Sequence, residues 1–337
     1  MTKVFEESLS LFKDKISDCI KSNKSISITT HNDCDGLTSG SIITKALIRE
    51  GAKCTIRTSK EFSKNVVQSF KTDSRDFHII TDLGGGFGNE LNQTIGDNWI
   101  ILDHHQISDE EKENENIINS WKYGIDGGSE ICAGGMAYFA AMALNEKNSD
   151  LSEIAVVSAL GDRQDQGENK SLTGKNFEIA NTAKELGLVE IDLDLLLVGK
   201  ETRPLAEALA FTSQPFIEGL TWNKEACFSL LKSSGIELKE EGRWRVPSEL
   251  DDDEKKIVIE TIANFSSEKN TSELKSELIG YTYTFPREDK RSFLRDGREY
   301  STMLNSCGRI SRSGVGMAIC MGDRNKILTE GEKILTD

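Results

Sequence analysis

Apolar and polar positions along the first half of the chain switch repeatedly between two periods. Ser25–Thr30 (SISITT) is a short β-branched run, and Ser39–Glu50 follows it with helical spacing. Cys54–Thr58 (CTIRT) reads as a second strand. Phe77–Thr81 (FHIIT) and Trp99–Leu102 (WIIL) are apolar runs of the kind shown by strands buried on both faces. Gly134–Leu144 and Leu151–Leu160 read as helices. At the start, Met1–Cys19 predicts an amphipathic helix: Val4, Phe5, Leu9, Leu11, Phe12 and Ile16 interleave with Glu6, Glu7, Asp14 and Asp18, and Ile20 continues the stripe. Strands alternating with helices predict an α/β fold with a doubly wound, mainly parallel sheet. In such sheets ligands bind beyond the carboxyl ends of the strands.

Residues 191–285 have another texture. Leu193–Val198, Leu205–Ala210 and Ala226–Leu231 are Leu-rich with helical spacing, and Pro204 and Pro215 read as connectors. The acidic run Asp251–Glu254 suits the cap of a helix over Glu254–Phe265 better than a metal site. The expected division is an α/β domain over 1–190, a mainly helical insertion over 191–285 that is available for docking a partner, and a mixed segment over 286–337 that completes the core. The chain shows neither repeats nor low-complexity tracts.

Composition narrows the class. Of 337 residues, 37% are hydrophobic and 7% aromatic, which suits a chain with a packed core. The longest apolar runs, such as Leu195–Val198, are too short to span a bilayer, and the start lacks the basic, then uninterrupted apolar, pattern of a signal peptide. Seven cysteines are dispersed without a CxxC pair, as expected of free thiols in a reducing, cytoplasmic setting. The net charge of -15 argues against a broad nucleic-acid-coating surface. It does not argue against a metal-centred site, because bound divalent ions reverse the local sign.

Four acidic or histidine clusters follow apolar runs. They are His31-Asn32-Asp33-Cys34-Asp35-Gly36 after SISITT, Asp82 after FHIIT, Asp103-His104-His105 after WIIL, and Asp162 in Ala159–Asp165. Along an extended chain, residues two apart point the same way, so His31, Asp33 and Asp35 are expected to converge, with Cys34 packed on the other side. A single Asp after a strand is more often a turn former or helix cap than a functional group. The joint pattern outweighs that reading: three of the chain's four histidines lie in these clusters, and three clusters close strands that the sheet would gather. His78, within FHIIT, reads as structural. Carboxylates with imidazoles favour Mn²⁺ or Mg²⁺ over metals that prefer thiolates. Two such ions about 3.5–4 Å apart can clamp a phosphodiester, with a metal-activated water as nucleophile.

HNDCDG, Asp82, Asp103-His104-His105 and Gly161-Asp162 resemble, in order, the four motifs of DHH-family phosphoesterases. The segments THNDCDGLTSG, NSWKYGIDGGSEICAGGMAY, SALGDRQD, GKETRPLAEALAFTSQPFIEGL and LRDGREYSTMLNSCGR are similar to archaeal RecJ-like, single-strand-specific exonucleases, over nearly the whole chain. The resemblance implies two metal sites, one of His31, Asp33 and Asp82, the other of Asp35, Asp82, His104 and Asp162, with Asp82 bridging. It implies that Asp103 orients the neighbouring imidazoles and that His105 contacts the scissile phosphate. Asn305-Ser306-Cys307-Gly308-Arg309 is similar to the Asn-x-x-Gly-Arg segment that such nucleases place beside the active site. Residues 287–312 carry seven Lys/Arg against four Asp/Glu, so Ser301, Asn305, Arg309 and Arg312 are candidates for contacts to a nucleic-acid backbone.

The resemblance further implies single-stranded DNA or RNA as substrate and a setting in archaeal DNA repair or replication. RecJ-type chains normally continue into a C-terminal DHH-associated domain with a Gly-Gly-His signature, which is expected to be absent here. Its absence favours an alternative: hydrolysis of short oligonucleotides or small phosphoesters, as other DHH proteins perform. A third expectation is a scaffold that binds the GINS complex of the replicative helicase, docking through the insertion.

Overall fold

The computed structural model describes residues 3–265 and 271–336. The helix expected from Met1 runs over Lys3–Lys21 (α1); Met1 and Thr2 lie outside the described residues, as does Asp337 of the last segment. Phe5, Leu9, Phe12, Ile16 and Cys19 form its buried stripe, while Val4 is exposed. The chain then alternates: β1 (Ser25–His31), α2 (Cys34–Arg49), β2 (Lys53–Ser59), α3 (Lys64–Ser69), β3 (Phe77–Thr81), α4 (Gly88–Ile95), β4 (Trp99–Asp103), α5 (Asp109–Lys112) and β5 (Ile117–Asn119). The five strands form one sheet in the order β2-β1-β3-β4-β5, and every neighbouring pair is parallel.

The apolar runs account for this sheet. β3 and β4 are buried along their whole length, so both sheet faces need helices. On one face Ile80, Trp99, Ile101 and Ile117 pack with Val67, Phe70 and Leu91, from α3, the 3₁₀ turn after it, and α4. On the other face lie α2 and α6 (Ala133–Leu144), and α7 (Ser152–Gly161) packs against both. The sheet is doubly wound, as expected. His78 is structural: buried in β3, it pairs through Nδ1 with the Ser27 hydroxyl at 2.6 Å and lies beside the Phe70 ring.

The strand order reverses between β1 and β3. From β1 the chain crosses outward to β2, then returns to start β3 on β1's other side. A crevice opens at the carboxyl ends of such a strand pair. His31 ends β1, Asp82 follows β3, and Asp103 ends β4.

By its internal contacts the chain divides into two compact units. One comprises residues 1–166, 172–186 and 301–337, the other 167–171 and 187–300. The first also contains α8 (Gly174–Glu185). The second has its own core, in which Leu205, Leu209, Leu220, Leu231, Val258, Ile262 and Leu274 are buried together. Its elements are β6 (Glu190–Leu195), α9 (Leu205–Phe211), α10 (Lys224–Ser233), β7 (Lys239–Glu240), β8 (Arg243–Trp244), α11 (Asp252–Phe265), α12 (Thr271–Glu277) and β9 (Ile279–Thr284). The helices dominate, but Leu193–Leu195 belongs to a strand and not to a helix. β6 pairs antiparallel with β9, and its Asp-Leu alternation has the two-residue period of a strand. The Asp251 carboxylate accepts from the backbone N–H groups of Asp253 and Glu254, capping α11 as its sequence suggested.

The chain ends with α13 (Gly297–Arg309), α14 (Ser313–Cys320) and α15 (Lys326–Thr336). Among the described residues, no helix is long and apolar enough to cross a membrane.

Candidate metal centre

HNDCDG does not continue the strand. β1 stops at His31 and α2 begins at Cys34, with Asp33 as its N-cap accepting from Gly36 N–H at 3.0 Å. The expected extended-chain alternation is therefore replaced by three successive backbone states. His31 ends a strand, Asp33 caps a helix, and Asp35 lies in the helix's first turn. His31 and Asp33 meet beside Asp82, while Asp35 joins His104 and Asp162. Cys34 is buried, its thiol directed at the Val157 carbonyl, so it packs as expected.

His31 Nδ1 lies 2.8 Å from Asp33 Oδ2 and 3.6 Å from Asp82 Oδ2. The other Asp82 oxygen, Oδ1, lies 3.4 Å from His104 Nε2 and 3.8 Å from His105 Nδ1. Asp82 thus divides its two oxygens between two groups of ligand-type atoms. It is 2% exposed, and Oδ2 has no hydrogen-bond partner. A buried carboxylate oxygen without a donor is costly unless a cation takes it. Burial and the neighbouring Asp35 push the Asp82 carboxyl up to about 6. Its φ of +60° lies in the left-handed region, which Asp tolerates better than most residues and which is found at functional sites.

Asp35 is held from several sides. Oδ2 accepts from Ala133 N–H and Oδ1 from Gly134 N–H, each at 2.8 Å, and Ser158 Oγ donates to Oδ1. The two amides open α6, so the carboxylate sits at that helix's positive end. Oδ2 also lies 3.2 Å from His104 Nε2. Burial raises the Asp35 carboxyl, but His104, Ser158 and the Gly134 amide together hold it below the usual carboxylate range.

His104 has a defined tautomer. Its Nδ1 is 2.6 Å from the Gly127 carbonyl, which only accepts, so Nδ1 carries the hydrogen. Nε2 is then the atom turned toward Asp35 and Asp82. An imidazole that gives one N–H to a backbone carbonyl and offers the other nitrogen inward is the arrangement of a metal-ligating histidine. Gly127 has to be glycine, since a Cβ there would lie 1.8 Å from the His104 carbonyl oxygen.

Asp162, at the end of α7, lies 3.8 Å from His104 Nδ1 through Oδ2. Burial and Asp35 push its carboxyl up to about 7, against the opposing pull of His104 and Gln164. Asp103 is buried, and its Oδ1 accepts from the backbone N–H groups of His104 and His105 and from His105 Nδ1. The His105 ring is 60% exposed on its side chain, and its centroid lies 4.4 Å from that of His104.

The structure brings ligand-type atoms into three overlapping groups: His31, Asp33 and Asp82; Asp35, His104 and Asp162; and Asp82, Asp103, His104 and His105. Oxygen and imidazole donors of this kind suit hard-to-borderline divalent cations.

The candidate substrate residues have mixed surroundings. Asn305 accepts from Cys34 N–H at 2.9 Å, and the Gly308 carbonyl accepts from Asn32 Nδ2 at 3.0 Å. Ser301 is buried; a Cβ on Gly161 would lie 3.4 Å from its Cβ. Arg309 is exposed, one residue beyond the Asn32 contact. Arg312 is ion-paired with Glu330.

Several groups that build the site were not singled out from the sequence: Ser158, the Gly127 carbonyl, the amides of Ala133 and Gly134, and Gln164, which donates to Asp162 Oδ2 at 2.7 Å. Ser158 had a signal, since it precedes Asp162 by one helical turn and so shares its face. Gln164 lies two residues beyond Asp162, and the Gly127 carbonyl and the Ala133 and Gly134 amides come from distant segments.

A parallel sheet whose strand ends gather carboxylates and imidazoles defines the class, a cluster able to hold divalent cations at a topological switch point. The comparisons with known proteins agree. Residues 25–161 match the model of the DHH family, N-terminal domain, and residues 197–278 match that of the DHH-CID domain. An uncharacterised protein of Methanocaldococcus jannaschii is 31% identical over 325 residues, covering 92% of this chain and 68% of that protein. The chain belongs to the DHH family.

Its fold is that of RecJ. It superposes on RecJ from Thermus thermophilus in complex with Mn²⁺ with a TM-score of 0.53 and 12% identity, over 98% of this chain and 37% of that one. For exonuclease RecJ bound to manganese the values are 0.55 and 12%, over 98% and 66%. For CDC45 from Entamoeba histolytica they are 0.61 and 15%, over 99% and 68%. The chain therefore spans little more than a third of the Thermus protein's length.

Proposed function

We propose that this protein is a two-cation phosphodiesterase acting on single-stranded nucleic acid. The observation that carries this reading is the division of Asp82, whose Oδ2 faces His31 and whose Oδ1 faces His104. His31, Asp33 and Asp82 would hold one cation, and Asp35, Asp82, His104 and Asp162 the other. Bound Mn²⁺ or Mg²⁺ supplies Lewis acidity, which polarises a phosphoryl oxygen and lowers the pKa of water. The binding of manganese by RecJ supports the choice of ion.

The chain's own groups divide the remaining work. Asp103 fixes the His105 ring through Nδ1, leaving the exposed edge to meet the scissile phosphate. Asp35, locked by α6 and Ser158, keeps the His104 side of the site rigid. Arg309 is the best placed of the candidate backbone contacts, because Asn305 and Gly308 tie its helix to the Asn32–Cys34 turn. Its guanidinium can fork onto a phosphate. Arg312 would first have to leave Glu330.

The test is a panel of end-labelled single-stranded DNA, single-stranded RNA, duplex and dinucleotides with Mn²⁺, using wild type and Asp82→Asn. Asn keeps the volume and tolerates the left-handed backbone, which Ala would not. Wild type should release nucleotides from single strands, and Asp82→Asn should lose at least about 100-fold, since each cation contributes several kcal/mol to the transition state. Equal activity in both proteins would exclude the two-cation mechanism. Turnover confined to dinucleotides would favour a short-substrate hydrolase.

A second reading is a docking role for the insertion in a replication complex with GINS. The likeness of the fold to CDC45 supports it. Retention of GINS binding by a chain lacking 197–278 would exclude that surface. The two roles are compatible.

A further inference from the structure

One wall of the site is a relay of buried amides. Gln164 is fully buried two residues beyond Asp162. Its Nε2 donates to Asp162 Oδ2 at 2.7 Å, to the Gly127 carbonyl at 2.8 Å and to the Ile131 carbonyl at 3.2 Å. Its Oε1 accepts from Asn176 Nδ2 at 2.6 Å. Asn176 lies in the first turn of α8, is 1% exposed, and accepts at Oδ1 from Cys132 N–H at 3.4 Å.

The sense of both amides is fixed from the two ends. Gln164 Nε2 meets two backbone carbonyls and a carboxylate oxygen, all acceptors. Asn176 Oδ1 meets a backbone N–H, which only donates. Reversing either amide would set like against like where water cannot compensate.

The relay ends on both groups that shape the His104 side of the site. The Gly127 carbonyl that receives Gln164 also receives His104 Nδ1 at 2.6 Å, so one amide nitrogen ties the Asp162 carboxylate to the carbonyl that orients His104. The other side of the site is arranged independently, with Asp33 Oδ1 accepting from Gly36 N–H and Oδ2 facing His31.

We propose that Gln164 is a positioning residue for the cation bound by Asp162 and His104, and that Asn176, outside the ligand set, sets the sense of the Gln164 amide. This rests on the two-cation reading of the site. Outer partners of metal ligands typically change affinity by about 10–100-fold, and here the effect falls on one cation of the two.

The experiment is a calorimetric titration of the full chain with Mn²⁺. It compares wild type with Gln164→Met, which keeps the length but donates nothing, and with Asn176→Asp, which denies Gln164 its donor and favours the reversed amide. Folding of each variant is checked by circular dichroism, and either variant suffices alone. Two binding steps are expected in wild type. In the variants one step should weaken by about tenfold or more, with the other within roughly threefold. Unchanged binding, or equal weakening of both steps in a folded variant, would overturn the positioning role and leave Gln164 a packing residue. Fewer than two ions bound by wild type itself would overturn the two-cation reading, a result distinct from failure in the variants.

Discussion

Single residues in this site are constrained by what their neighbours leave room for. Gly308 shows this: a Cβ there would lie 1.7 Å from the Asn32 carbonyl oxygen. The helix backbone is pressed onto the turn that carries His31, Asp33 and Asp35, and the Asn305 carboxamide holds that turn through Cys34 N–H. The Gly and Asn of Asn-x-x-Gly-Arg therefore have structural work to do, whatever Arg309 contacts. Gly308→Ala should destabilise the chain by roughly 1–3 kcal/mol, the usual range for overpacking, seen as a lower midpoint in urea. An unchanged midpoint would mean that α13 moves away from the turn at no cost. The ligand-type residues were legible in the sequence jointly, because each sits where an apolar run stops; Asp82 by itself reads as a turn former. Gly127 and Gln164 were not, because their roles depend on which segments the fold brings together, and Ser158 carried only the signal of lying one helical turn before Asp162.

Helices and strands set the electrostatics of individual carboxyls. In α13, Asp296 Oδ1 caps the first turn by accepting from the backbone N–H groups of Arg298 and Glu299. The Glu299 carboxylate is buried, accepting from Glu201 N–H at 2.6 Å and from the Thr202 hydroxyl. Burial, followed by Asp296, pushes its carboxyl from 4.5 up to about 7. Between those values the folded chain keeps a proton that the unfolded chain has lost. This group's contribution is therefore full below about 4.5 and is lost as pH rises to about 7. The loss is at most on the order of 3 kcal/mol. Glu299→Gln should gain stability relative to wild type between pH 5 and pH 8 in urea unfolding, and a pH-independent difference would contradict this assignment. At the element scale the sheet was readable from β-branched and apolar runs. Two readings failed, one for a local reason and one for a tertiary one. HNDCDG bends into a helix because Asp33 caps it, and Leu193–Leu195 pairs with β9 because a tertiary partner outweighs helical propensity.

Across the whole molecule, the proposed function would have to reconcile a net charge of -15 and a buried group of carboxylates with a polyanionic substrate. Divalent cations held at the strand ends would do this locally. Strand order could not be read from periodicity, yet it decides the site. With β1 beside β3, His31 and Asp82 become neighbours and Asp82 can face two groups at once. The most direct test of the account is anomalous diffraction from crystals of the full chain soaked in Mn²⁺. Two peaks are expected about 3.5–4 Å apart, one beside His31 and Asp33 and one beside His104 and Asp162, with Asp82 between them. A single peak, or peaks that leave Asp82 unligated, would contradict it.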